Sequence, residues 1–74
     1  DIGYERLFEL YQIYKFLDLD ASSFLKKAYY LLLDDIKHIS SRKDAKYFMN
    51  SDVRYNKSIL KKWDSYNKEQ SLIG

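Results

Sequence analysis

The chain contains no proline, and its two glycines, Gly3 and Gly74, stand at its ends. The interior therefore lacks both residues that break helices, one by losing a backbone N–H and the other by its conformational entropy. Such a body predicts an all-α fold. With 74 residues it is one domain at most, and a domain of this size buries a small share of its surface, so its stability is marginal. Hydrophobic residues at 46% and charged residues at 32% give a globular balance. The lack of cysteine excludes disulfides, thiolate metal sites and cysteine nucleophiles. The lack of interior glycine excludes a glycine-rich phosphate loop. The longest uninterrupted apolar run, Ala28 to Leu33, is far shorter than the roughly 20 residues of a membrane span, so no membrane insertion by this segment is expected. No signal peptide is visible, and the chain opens on Asp1 rather than Met. The expectation is a single helical domain over residues 1–74, cut from a longer protein.

Three helical segments stand out. From Tyr4 to about Leu17, apolar residues recur at Leu7, Phe8, Tyr11 and Tyr14, with Leu10, Ile13 and Phe16 at the margins. Asp18-Leu19-Asp20 ends this segment, and Asp20 or a following serine can cap the next helix. The second segment, about Ala21 to Ile36, places Leu25, Ala28, Tyr29, Leu32, Leu33 and Ile36 on one buried face. Lys26, Lys27, Tyr30, Asp34 and Lys37 fall on the other side. Lys37 to Lys43 reads as a polar loop. The third segment runs from Asp44 to at least Trp63, with Ala45, Phe48, Tyr55, Ile59 and Trp63 on one side and Asp52 interrupting that face. A lysine-rich tail follows, as a fourth short helix or a continuation of the third. The predicted core comprises Tyr14 and Leu17 from the first segment, Leu25, Ala28, Tyr29 and Leu32 from the second, and Phe48, Tyr55 and Trp63 beyond.

The net charge of +2 does not by itself imply a nucleic-acid partner. Its distribution is uneven. Residues 1–37 hold five Lys/Arg against seven Asp/Glu, and residues 38–74 hold eight against four. That asymmetry suits an acidic partner, although a solvated helix face gives the same count. Eight tyrosines and Trp63 amid lysines are a composition that single-strand binders share, but at helical spacing they read as core with hydroxyls reaching water. Nucleic acid is not the expected partner.

Taken in order, the segments resemble a J domain of the DnaJ co-chaperone type. Ile13-Tyr14-Lys15-Phe16-Leu17-Asp18-Leu19-Asp20 is similar to that family's opening L-Y-E-I-L-G-L-D. Leu25-Lys26-Lys27-Ala28-Tyr29-Tyr30-Leu31-Leu32 resembles I-K-K-A-Y-R-K-L, and Trp63-Asp64-Ser65-Tyr66-Asn67-Lys68-Glu69 resembles Y-D-K-Y-G-x-E. Phe48 and Tyr55 match the aromatic pair of the family's third helix. Together the pieces cover roughly residues 10–70. Asp18 stands where the family has glycine, and the links between segments are shorter. The His-Pro-Asp tripeptide that triggers the partner's ATP hydrolysis is replaced by Lys37-His38-Ile39, and a chain without proline cannot supply it in any register.

The resemblance implies a small J-domain-like helical bundle, with an antiparallel pair of longer helices, the second and third. The first helix would pack across them and a short last helix would close the core. It implies a non-catalytic docking or regulatory module, not expected to stimulate a DnaK-type ATPase. Its partner would be a protein, a DnaK-type chaperone or another J protein, meeting Lys26, Lys27, Tyr30, Lys37 and His38. A second resemblance competes. Asp52-Val53-Arg54-Tyr55, followed by the aromatic-rich stretch from Trp63, is similar to the FF domain, a helical module that binds acidic or phosphorylated peptides. The FF element reads D-P-R-Y, and here Val53 stands in place of its proline. This reading requires a single-turn helix around Asp52–Tyr55, whereas the J-like reading keeps that stretch inside a long third helix.

No catalytic residue, metal ligand set or cofactor is expected. His38 is the lone histidine and only carboxylates could join it at a metal. Asp34 and Asp35 are neighbours on a helix and point about 100° apart, a poor acid–base pair. Asn56-Lys57-Ser58 fits a glycosylation sequon, a pattern common by chance.

Overall fold

Tyr4, Leu7, Phe8 and Tyr11 repeat at three- and four-residue intervals, and a helix turns all four inward. A computed structural model describes residues 2–73 as four helices: α1 (Tyr4–Phe16), α2 (Ser22–Lys37), α3 (Arg42–Asn50) and α4 (Asn56–Ile73). The protein is all-α, a small helical bundle. Helix α1 starts after an extended Gly3, carries Glu5 in its first turn and Lys15 in its last, and so complements its own dipole. It ends in a Schellman motif. Leu19 N–H reaches Tyr14 O at 2.9 Å and Asp18 N–H reaches Lys15 O at 3.0 Å, while Asp18 itself takes a left-handed φ of 59°.

After the short link, Asp20 accepts hydrogen bonds from Ser22 N–H at 3.1 Å and Ser22 Oγ at 2.9 Å, which starts α2. Leu25, Ala28 and Leu32 form the inward stripe of α2. α2 packs chiefly on α1 and then on α4, and α3 touches α4 and the margin of α2. The core joins the four residues of α1 and the three of α2 to Ala21 in the link and Ile59 of α4.

Several expectations are corrected. The segment from Asp44 to Trp63 is two helices, because the chain leaves α3 at Asn50 and re-enters α4 at Asn56. α2 therefore lies against α1 and α4 rather than against a long third helix. The last helix is the longest of the four, with 18 residues, and α3 has only nine. Leu17 is 57% exposed. It is the C-cap of α1, off the inward stripe, where the chain turns away. Tyr14, Tyr29, Phe48, Tyr55 and Trp63 are half-buried and pack around the core, while Leu25, Ala28 and Leu32 lie within it.

The break between α3 and α4 is held by four groups. Asp52 accepts Ser58 N–H at 3.1 Å and Ser58 Oγ at 2.9 Å, filling an open donor of the first turn of α4. Lys57 N–H reaches Ser51 O at 3.0 Å. Tyr55 adopts a φ of 66°, costly for a bulky residue, and its ring packs on Phe8 at 5.4 Å. Asn56, only 2% exposed, donates from Nδ2 to Phe48 O at 2.9 Å and ties the end of α3 to the start of α4.

Candidate functional site

With Leu25, Ala28 and Leu32 facing inward, the helical period turns Ser23, Lys26, Lys27, Tyr30 and Leu31 outward. The N-terminal end of α1 runs beside this face. Between them lies an open groove of about 770 Å³. Buried Leu7 and the exposed Ile2 and Leu31 give it apolar lining, together with Ser23. Lys26 and Lys27 line it, and neither has an ion-pair partner among the described residues.

Tyr30, 53% exposed, is held in place from behind. Its ring meets Tyr29 edge-on at 5.3 Å and Trp63 at 6.0 Å. Tyr29 stacks on Trp63 at 4.8 Å, and Trp63 on Tyr66 at 5.6 Å. This ladder joins α2 to α4 and leaves Tyr30 as its exposed end.

The structure thus gathers three of the five expected partner-binding residues, Lys26, Lys27 and Tyr30, and separates the other two. Lys37 and His38 lie at the opposite end of α2, about 16 Å along the axis from Lys26. His38 Nδ1 lies 2.7 Å from Asp34 O and donates to it, covering a carbonyl of the last turn. That contact gives the imidazole a capping task. Ile39 is half-buried in the link that follows. Asp34 and Asp35 are exposed. Among the described residues no group of three or more His, Cys, Asp or Glu side chains gathers as a metal site, and no helix is long and apolar enough to cross a membrane.

Leu31, Ile2 and Leu7 complete the groove and were not among the expected site residues. Leu31 carried a signal, since it is apolar and lies outside the buried stripe of α2. Ile2 and Leu7 belong to another element, so no single-helix pattern connects them to Lys27. The Asn56 sequon is closed in the folded chain, because its acceptor nitrogen is buried and bonded to Phe48 O.

A second depression, lined by Glu5, Glu9, Arg6 and Arg54, neutralises itself. Arg6 pairs with Glu9 at 3.4 Å and Arg54 with Glu5 at 3.6 Å. Arg54 also lies over the Tyr4 ring at 5.2 Å. Comparison of the chain with protein-family models, curated proteins and solved structures finds no match in any of the three.

Proposed function

We propose that this chain is a non-catalytic, FF-like protein-interaction module that takes an acidic or phosphorylated peptide segment. The observation that carries the reading is the break at Asp52-Val53-Arg54-Tyr55. There the chain leaves α3, makes one turn closed by Tyr55 N–H to Asp52 O at 3.3 Å, and enters α4 under the Asp52 cap. The FF-like reading expects a single-turn helix at that element; the chain makes a turn there that is not helical, and the support for the reading is the break itself. A J-like arrangement needs the third helix to continue through it. The J-like docking module is the second reading, and its support is the exposed Lys26–Lys27 edge of α2.

The test is a titration of the ¹⁵N-labelled chain, followed by backbone amide shifts, with an acidic peptide, its phosphoserine counterpart and a DnaK-type chaperone in separate series. Saturable shifts with either peptide are the expected result. No shift with either peptide at about 1 mM, the weak end of specific binding, would overturn the module reading. Salt-sensitive binding of the chaperone without peptide binding would establish the J-like one. Stimulation of chaperone ATPase is expected under neither.

A further inference from the structure

We infer that the groove between α1 and α2 receives an acidic amphipathic helix, with apolar side chains seated between Leu7, Ile2, Leu31 and Tyr30 and carboxylates meeting Lys26 and Lys27. The inference rests on the interaction-module reading and assigns it a surface and a ligand form.

Charge sets the sign of the partner. The groove is apolar inside, and among the described residues the charged side chains lining it are two lysines. No acidic residue stands in the first turn of α2 beside them, and the carboxylate of Asp20, just before the helix, is not part of the lining. Two cations beside an apolar channel favour carboxylates next to bulky apolar groups and repel a basic segment.

Backbone chemistry sets the form. Every regular element among the described residues is helical, so the surface offers no strand edge to pair with an extended peptide. A partner in the groove must satisfy its own backbone N–H and C=O groups, which a helix does. Dimensions agree. Ser23 to Leu31 covers eight helical steps, about 12 Å, and anchors at i, i+3 or i+4, and i+7 of a partner helix cover about 10.5 Å. Tyr30, held by Tyr29 and Trp63, is an aromatic wall whose position is set before binding.

The test uses a side-chain-stapled helical peptide of about fourteen residues, since a shorter free helix is marginal in water. It carries Leu at the anchor positions and Glu beside them; a control replaces each Glu with Lys. Both are titrated into the ¹⁵N-labelled chain and into the variants K26E/K27E and L31E, whose sites are exposed. The acidic peptide is expected to shift the amides of Leu7, Lys27, Tyr30 and Leu31. Its Kd should rise about tenfold in K26E/K27E and about tenfold again in unmodified protein between roughly 50 mM and 500 mM salt. L31E should bind at least tenfold more weakly while keeping its helical circular dichroism. Equal binding of the basic peptide would overturn the inference. So would shifts confined to α3 and α4, or unchanged affinity in both variants; these leave the module reading standing with its site elsewhere. Concentration-dependent shifts of the groove amides without peptide would assign the groove to a second copy and also overturn it.

Discussion

Asp18 occupies a backbone conformation that suits glycine. Its φ of 59° closes the Schellman motif at the end of α1, and a residue with a Cβ holds that region at a cost. Asp18→Gly is therefore expected to stabilise the fold by about 1 kcal/mol. Urea unfolding should show a higher midpoint with unchanged slope; a lower midpoint would mean the carboxylate contributes more than the backbone strain removes. The end of α1 at Asp18-Leu19-Asp20 was legible in the sequence, whereas the left-handed backbone of Asp18 was not. Nor was that of Tyr55. Its φ of 66° comes from the path between two helices, and no tyrosine advertises a left-handed backbone.

At the scale of elements, the third segment shows how a pattern can mislead. Ala45, Phe48, Tyr55, Ile59 and Trp63 keep helical phase across a stretch that is not helical, because the turn returns the chain to the same side of the core. In the apolar pattern Asp52 was the sign of the break, and its reason is now physical: it caps α4. Asn56 performs the companion task at the end of α3. Asn56→Ala would remove the 2.9 Å bond to Phe48 O, leaving that carbonyl only the longer bond from Ser51 N–H at 3.3 Å, and is expected to cost about 1 kcal/mol. Hydrogen exchange should show the loss first at α3, which has no fully buried side chain of its own. Uniform loss of protection through all four helices would show instead that α3 and the core open as one unit.

For the molecule as a whole, the margin is narrow, with about 4–11 kcal/mol expected for a chain of this length. The radius of gyration of 12.9 Å exceeds the roughly 11 Å of a compact chain this long. One reason is that Asn67 to Leu72 are all exposed along the end of α4. The all-α class was legible because it needed only the absence of breakers. The groove was half legible, since the lysines and Tyr30 share one helix while Ile2 and Leu7 come from beyond it. Tyr4 connects the sequence to the pH response. Its hydroxyl and Asn56 Oδ1 are buried without a well-formed hydrogen bond, although the carboxamide lies close enough to favour the phenolate slightly. Burial dominates, and with Asp35 and Glu5 it outweighs Arg54 and Asn56, raising the pKa above the usual 10.0. A raised folded value means that unfolding releases this proton once the pH passes about 10. The stability contributed by neutral Tyr4 is complete below that pH and is lost as the pH rises through the folded value. Thermal unfolding between about pH 8 and pH 11 should therefore fall less steeply for Tyr4→Phe than for the unmodified chain; parallel curves would remove Tyr4 as the cause. Asn56, meanwhile, has a chemical consequence outside stability. Its amide nitrogen is open to a sugar-transferring enzyme only until α3 and α4 close around it. In any compartment that carries such an enzyme, folding and modification would race for one atom, and a glycan at Asn56 would mark a molecule that had lost its route to the native state.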